Sequence, residues 1–409
     1  MVSEWRQVCW GDIATLEYGK GLRGYQEKIG TYRVFGTNGP IGWHDEPLCP
    51  FSSVIIGRKG AYRGIHFSPA PFFVIDTAFY LKPKKTFNMK WAYYELLTHD
   101  INNMDSGSAI PSTSRESFYK LPVWVPPTDE QQAIAHILGS LDDRIELNRR
   151  MNNTLETMAR TIFKSWFVDF DPVHAKIEGR PTGLPDEVAS LFPDSFEDSE
   201  LGEIPKGWKV VALPEIIDIN PSRKLKKGQV APYLEMKNLS QNTARAVCWC
   251  DRNFSSGVKF INGDTLMARI TPCLENGKGA FVDFLEDGQV GWGSTEYIVF
   301  RAKEPLPLEY SYFLSRTKDF RSHAIVNMTG SSGRQRVPAS IFDDYLVVRP
   351  SENIAESFGI FSGLVMRKIK ENDEMTRSLA SLRDTLLPKL ISGELRVPDA
   401  ERFIEEAGL

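Results

Sequence analysis

One pattern occurs twice in this chain, and that duplication limits the possible folds more than any other feature. Phe118…Leu121-Pro122-Val123-Trp124-Val125-Pro126 matches Phe342…Tyr345-Leu346-Val347-Val348-Arg349-Pro350, 224 residues later. At the same offset, without a gap, Ile145 matches Ile369, Asn148 matches Asn372, Met151 matches Met375, Leu155 matches Leu379 and Thr161 matches Thr385. The starts of the halves also match: Trp5-Arg6-Gln7-Val8 with Trp208-Lys209-Val210-Val211, and Asp12-Ile13 with Glu215-Ile216, at an offset of 203. The second half therefore holds 21 more residues between its start and its Phe-x₇-Pro end. A period this long excludes a solenoid and implies a duplicated unit of globular block plus helix.

The helices are legible. After Pro126-Pro127, Thr128-Asp129-Glu130-Gln131 reads as a capping box with Thr128 as N-cap and Gln131 at N3. Leu138, Leu141, Ile145, Asn148, Asn152, Leu155, Ala159, Ile162 and Trp166 then follow a 3-4 spacing, a coiled-coil seam with polar positions. About 40 residues at 1.5 Å each give roughly 60 Å of helix. The second helix opens with Ser351 as N-cap and carries Phe361, Val365, Ile369, Asn372, Leu379, Leu382 and Leu386; Pro388 should kink or end it. A helix this long needs a partner. Its own repeat copy, packed antiparallel with Asn148 and Asn372 setting register, is the simplest. The expected pair is Thr128–Phe167 with Ser351–Leu387.

The blocks ahead of each helix read as short strands broken by Gly and Pro, among them 53–56, 72–75, 79–81, 297–300 and 346–348, with helical pieces at Trp91–Leu97 and Leu308–Leu314. The fold class expected is α+β, with two pseudo-repeat globular domains separated by a long antiparallel two-helix coiled coil. The net charge of -4 averages over an asymmetry. Met1–Pro126 carries 14 Lys+Arg against 11 Asp+Glu, and Trp208–Pro350 carries 19 against 15, while Val168–Gly207 carries 3 against 10. Two mildly basic blocks flank an acidic connector, and it is the local field that a polyanion meets.

Motifs for chemistry are missing. There is no phosphate-binding Gly-x-x-x-x-Gly-Lys-Ser/Thr loop and no Gly-x-Gly-x-x-Gly opening a helix after a strand. Asp171-Pro172-Val173-His174 fails the adenine-methyltransferase tetrapeptide at its third position. Glu275-x-x-Lys278 lacks the upstream Pro-Asp pair of a nuclease. The six histidines show no metal-ligand pairing, and the five cysteines fit no zinc pattern and read as small buried hydrophobes. No catalytic or metal-binding residue and no cofactor is expected. With neither a signal-peptide pattern nor about 18 consecutive apolar residues, no membrane association and a cytoplasmic location are expected.

The run from Leu121 to Ile134, containing Pro126-Pro127-Thr128-Asp129-Glu130-Gln131-Gln132, resembles the junction motif of type I restriction-modification specificity subunits. Leu138…Leu141-Asp142-Asp143-Arg144-Ile145…Asn148 is similar to their conserved helical region. The Trp-plus-basic start of each block and the Gly-Ser-rich stretches 106–111 and 329–338 are similar too. The second junction, Arg349-Pro350-Ser351-Glu352-Asn353-Ile354, departs from the Pro-Pro-x-x-Glu-Gln pattern. The resemblance implies a division into target-recognition domains at 1–127 and 208–350, a central helix at 128–168, a connector at 169–207, a distal helix at 351–392 and a tail at 393–409. It implies a subunit that performs no catalysis and reads a bipartite site on double-stranded DNA. Two methyltransferase subunits, which carry S-adenosylmethionine, and restriction-translocase subunits would be its partners.

Base readout needs Arg or Lys for guanine and Asn or Gln for adenine, on loops held by a rigid scaffold. In the first block the candidates are Asn38, Arg58, Lys59, Tyr62, Arg63, Ser112 and Arg115. In the second they are Arg269, Lys278, Arg334, Gln335 and Arg336. The alternative is a protein-assembly scaffold that uses its helical seam without DNA readout. Such a scaffold would have no salt-sensitive DNA affinity.

Overall fold

The computed structural model describes residues 5–25, 29–104 and 111–406; most of the first Gly-Ser-rich stretch, 106–110, lies outside them. Contacts divide the chain into Met1–Leu147 with Met375–Leu409 (unit 1) and Asn148–Glu374 (unit 2). The first block contains β1 (Arg6–Cys9), α1 (Trp10–Ile13), β2 (Ala14–Tyr18), β3 (Tyr32–Gly36), β4 (Gly39–His44), β5 (Ser53–Gly57), β6 (Ile65–Ser68), β7 (Phe72–Val74), β8 (Ala78–Pro83), α2 (Met89–Leu97), α3 (Arg115–Tyr119) and β9 (Pro122–Val125). Helix α4 (Thr128–Phe167) follows, then α5 (Asp171–Ile177), α6 (Asp186–Ala189) and the hairpin β10 (Phe196–Ser199) and β11 (Gly202–Pro205). The second block contains β12 (Lys209–Ala212), α7 (Leu213–Ile216), β13 (Ile217–Ile219), β14 (Val230–Leu234), β15 (Cys250–Asn253), β16 (Val258–Phe260), β17 (Thr265–Ala268), β18 (Gly279–Phe281), β19 (Gly291–Gly293), β20 (Tyr297–Ala302), α8 (Glu309–Arg316), α9 (Lys318–Val326) and β21 (Leu346–Arg349). Helices α10 (Glu352–Ser392) and α11 (Val397–Glu406) complete the chain.

In unit 1, β1 lies antiparallel on β9, with Arg6 opposite Val125 and Cys9 opposite Pro122. The two ends of the repeat motif are thus hydrogen-bonded neighbours that close the block. Inside it are a sheet of order β2-β8-β5-β6 and a smaller one of order β4-β3-β7. All five residues of β5 are buried, as its continuous Val-Ile-Ile run requires of a central strand. Trp10 is fully buried against Trp91 and Phe118, and its Nε1–H donates to buried Glu95 at 2.8 Å, so its polar end is satisfied. The same core takes Ile134, Leu138, Leu141 and Ile145 from α4, with Leu379, Leu386 and Leu390 from α10.

Unit 2 repeats the plan. β12 pairs with β21, and the sheets run β13-β20-β17-β18 and β15-β14-β19-β16. The strand order is that of unit 1 with β16 added at one edge. β16 extends what in unit 1 is a single antiparallel bridge, Cys49 to Phe72, and α9 follows α8 where unit 1 has only the short turn Ile101–Asn103 after α2. The core gathers Phe163, Trp166 and Phe167 from α4, Phe358, Val365 and Ile369 from α10, and Tyr310 and Phe313 from α8. The acidic connector packs on it through Val173, Phe192 and Ile204.

Within each unit the halves of α4 and α10 run antiparallel. In unit 1, Glu130 meets Arg396 just past α10 (3.6 Å) and Asp142 meets Arg383 (2.7 Å). In unit 2, Asn152 meets Asn372 (2.8 Å) and the Phe167 and Phe358 rings lie 5.1 Å apart. The buried amide pair is Asn152–Asn372, and Asn148 is only half-buried. In an antiparallel pair, repeat-equivalent residues face each other only at the centre of symmetry, so Asn372 meets the residue one turn beyond Asn148.

Two expectations are corrected, for Thr128 and for the cysteines. Thr128 lies inside α4 and is not its N-cap: Gln131 N–H bonds the Pro127 carbonyl (2.9 Å). The Gln131 side chain donates to the Pro126 carbonyl (2.8 Å) and accepts from Asn88 N–H (2.7 Å), joining the helix start to the block. Pro388 does not end α10, because Leu386, Leu390 and Ile391 on either side of it are held in the unit 1 core. The segment after 392 forms α11, anchored by buried Ala400. Cys248 and Cys250 are exposed, not buried; Cys250 opens β15, an edge strand whose four residues all face solvent, and Cys248 lies just before it. Among the described residues, no helix is long and apolar enough to cross a membrane, and no cluster of three or more His, Cys, Asp or Glu is placed to hold a metal.

Candidate nucleic-acid interface

The end of β5 and the end of β17 carry the same construction. In unit 1, Arg58 N–H bonds the Thr77 carbonyl (2.9 Å), Thr113 N–H bonds the Arg58 carbonyl (2.8 Å), and Gly60 N–H bonds the Pro111 carbonyl (3.0 Å). Lys59 and Ser112 form an isolated antiparallel bridge between them. In unit 2, Arg269 N–H bonds the Glu296 carbonyl (3.0 Å), Val337 N–H bonds the Arg269 carbonyl (2.9 Å), and Thr271 N–H bonds the Gln335 carbonyl (3.0 Å). The bridge there is Ile270 to Arg336. Strand registers make the correspondence residue by residue. Gly57 opposite Ala78 is matched by Ala268 opposite Tyr297, so Arg58 and Arg269 are equivalent. The segments 111–113 and 335–337 are equivalent at the offset of 224. A rigid central strand thus ends in an arginine, and a second extended segment clamps the residues after it.

The outward faces differ. In unit 1, the Tyr62 ring is 80% exposed, and Lys59 and Asn38 are exposed beside it. Gly60 takes φ +124, a conformation that suits glycine and lets the loop turn. The Thr37 hydroxyl donates within the loop to the Lys59 carbonyl (2.8 Å), and the Asn38 amide, oriented to suit its neighbours, donates to the Tyr62 carbonyl (2.8 Å). Arg58 rests over the Tyr18 ring (4.8 Å) and donates to the Asp76 carbonyl (2.9 Å), while Lys59 lies 3.6 Å from the Asp76 carboxylate. Arg115 stacks on the same Tyr18 ring (5.0 Å) and donates to the Tyr119 hydroxyl (2.9 Å), which raises its already high pKa. Ser112 is half-buried in the clamp. Arg63 leaves the exposed set: it is buried, and its guanidinium donates to the Asn102 carbonyl (2.6 Å) and the Ile101 carbonyl (3.3 Å), fixing the loop from below. Behind the turn, burial lowers the pKa of His66 and so favours the neutral ring.

In unit 2, Arg334 is exposed at the tip of the clamp. Arg336 is exposed too, with its Nε held by Glu296 at 2.8 Å. Gln335 is half-buried and contributes the carbonyl that Thr271 uses. Lys278 is set apart from this group, its ammonium donating to the Met236 (3.0 Å) and Lys237 (3.3 Å) carbonyls. The sequence reading missed Lys259 on β16 and the run Arg223-Lys224-Leu225-Lys226-Lys227 after β13. Four cations in five residues was the available signal for the run. Lys259 had none, because only the fold brings β16 beside Arg269. Both faces offer cations and amides on stiff supports, which suits contact with phosphates and base edges.

Residues 2–157 match the family model described as the type I restriction modification DNA specificity domain. The chain is similar to the type I restriction enzyme HindI specificity subunit of Haemophilus influenzae, 25% identical over 346 residues covering 70% of this chain and 71% of that protein. It is also similar to the type I restriction enzyme MjaIX specificity subunit of Methanocaldococcus jannaschii, 25% identical over 337 residues, 78% of this chain and 71% of that protein. The crystal structure of a type-I restriction-modification system S subunit from M. genitalium shares the fold, with a TM-score of 0.58 at 16% identity over 95% of this chain and 96% of that one.

Proposed function

This chain is a relative of the type I restriction-modification specificity subunits, and from that premise we propose that it is the DNA-recognition subunit of such a complex and performs no catalysis itself. Each unit reads one half of a bipartite target on double-stranded DNA. The carrying observation is the construction built twice, with Arg58 and Arg269 at the same place in the same hydrogen-bond pattern and with different side chains around them. One scaffold with two surfaces is what two different half-sites require. The long helices, paired as an antiparallel coiled coil, set the gap between the half-sites. Two methyltransferase subunits, which bind S-adenosylmethionine and modify adenine, and the restriction-translocase subunits assemble on the chain. The complex works in the cytoplasm.

The test is to produce the chain with its methyltransferase subunits in a host lacking other adenine methylation and to map modified adenines by sequencing. A two-part motif with a fixed gap is expected. Unmethylated DNA, together with a complex that binds duplexes without salt dependence, would favour a protein scaffold instead.

A further inference from the structure

Where unit 1 has only the antiparallel bridge of Cys49 to Phe72, unit 2 has the full strand β16. β16 brings Lys259 near Arg269, and a cleft of about 300 Å³ opens between them and the loop after β13. Arg223, Lys259 and Arg269 line it with Asn220, Ser222 and Thr295; among the described residues no carboxylate does. The loop is fixed at its root. Asn220 adopts φ 50, its N–H bonds the Val299 carbonyl (2.7 Å), and its side-chain oxygen accepts from Val299 N–H (3.0 Å). The opposite wall is equally set: a Cβ on Gly257 would fall 2.0 Å from the Gly293 carbonyl oxygen, so only glycine lets β16 approach.

Among the described residues, the positive charge in the cleft is not balanced. Arg223 donates to buried Asp264 (3.1 Å), but Arg301 shares that carboxylate (2.8 Å), so one positive charge is left over. The Lys259 ammonium donates to the Arg223 carbonyl (3.2 Å) and sits over the Phe254 ring (5.0 Å), keeping two of its three N–H groups. The Arg269 guanidinium has no acceptor among the described residues, and its Nε and that of Arg223 are buried without a partner. Lys224, Lys226 and Lys227 are exposed on the same loop. The charged groups of the cleft are donors only. Guanine O6 and N7 would also accept from these donors, but only a phosphodiester adds to its acceptors the negative charge that the surplus positive charge calls for.

We propose that this cleft seats one backbone phosphate of the DNA that unit 2 reads, so that it positions the duplex and carries no sequence information. The proposal rests on the DNA-recognition reading above. Its test uses the chain assembled with its methyltransferase subunits and compares Lys259→Gln, Lys259→Arg and Ser222→Asp with the parent. Ser222 is exposed, so its substitution tests charge without disturbing the core. Lys259→Gln should make the log affinity against log salt slope shallower by about one, weaken target and unrelated duplexes by the same factor, and leave the methylated motif unchanged. Lys259→Arg should restore the slope, and Ser222→Asp should weaken both duplexes alike. A motif relaxed at one position would overturn the proposal in favour of base readout. Parental slopes in both Lys259→Gln and Ser222→Asp would overturn it while leaving DNA recognition standing. Thermal stabilisation by inorganic phosphate that Lys259→Gln abolishes, with DNA binding unchanged, would overturn it in favour of a free-anion site. A parent complex without salt-sensitive DNA affinity would remove the DNA reading, and the cleft's role with it.

Discussion

In unit 1 the clamp beside the central strand is fastened by Thr113, which is buried and whose hydroxyl donates to the Gly57 carbonyl at 2.7 Å. In unit 2 the same place is held by Val337, fully buried and with no hydroxyl to give. The backbone hydrogen bonds around the two residues are nonetheless the same. On the outer face the contrast grows: Lys59 and Tyr62 in one unit, Ile270 and Arg336 with the added Lys259 in the other. The two copies have kept the backbone pairing and changed the chemistry displayed on it. That is how one scaffold can serve two different surfaces, since a β-ladder constrains main-chain groups while leaving outward side chains open.

The units also differ in how the block is tied to the helix halves, and here a substitution should have its largest effect. In unit 2, Arg245 is 4% exposed and lies between Asp283 and Asp373, 2.9 Å from the latter. Burial raises the pKa of the Asp283 carboxyl even with Arg245 beside it. Arg245→Ala leaves two carboxylates without their cation and should cost about 3–5 kcal/mol. In unit 1 the block is tied by Tyr94 of α2, which donates to Asp142 of α4 at 2.6 Å, and the cation on that carboxylate is Arg383 of α10, both charged groups being over a quarter exposed. Arg383→Ala should cost about 1 kcal/mol or less. Chemical denaturation of the two variants checks this. Equal losses would mean that the ties are equivalent after all.

The contrast of surfaces is sharpened by Arg58→Ala in unit 1 and Arg334→Ala in unit 2. Each should relax one half of the methylated motif and leave the other half intact, at about 1–3 kcal/mol for a lost bidentate base contact. Arg269→Ala, at the position equivalent to Arg58, removes a cation of the phosphate cleft and should instead weaken target and unrelated duplexes alike, with the motif unchanged. If Arg58→Ala and Arg334→Ala altered the same half of the motif, two independent readers could not be maintained.

Much of this plan is legible in the residues. The closing pair β1–β9 and its copy β12–β21 are the segments whose repetition first shows, because their pattern serves both the ladder and the helix that follows. The seam residues Leu138, Leu141, Ile145, Ala159 and Trp166 are buried as their spacing requires. What could not be read depends on distance along the chain. The pairing of Asn372 with Asn152 follows from where two helices meet. Arg63 and Tyr62 are neighbours in a cationic glycine loop, yet one is buried and the other 80% exposed, and only the Ile101 and Asn102 carbonyls decide which. Lys259 gains its setting from a strand that in the other copy is a single bridge. Six of the twelve candidate positions, Arg58, Lys59, Ser112, Arg269, Gln335 and Arg336, take part in the backbone pairing of the clamps, whose equivalence rests on hydrogen bonds such as Thr113 to Arg58 and Val337 to Arg269, between residues more than 50 apart.

The smallest effect tests the comparison most directly. Thr113→Val gives unit 1 the residue that unit 2 carries at the equivalent place. The shapes are nearly the same, so the change removes one hydrogen bond without opening a cavity. The Gly57 carbonyl loses its hydroxyl donor, and the cost should be about 1 kcal/mol, the usual worth of a buried neutral hydrogen bond. The main-chain bond from residue 113 to the Arg58 carbonyl needs no hydroxyl, as Val337 and Arg269 show at 2.9 Å. The clamp should therefore hold, Arg58 should stay in place, and the methylated motif should be unchanged while the denaturation midpoint falls slightly. If Thr113→Val erased recognition of one half-site at this small cost in stability, the hydroxyl would be fixing the reading surface of unit 1 in a way that unit 2 does without, and the two constructions could not be treated as one.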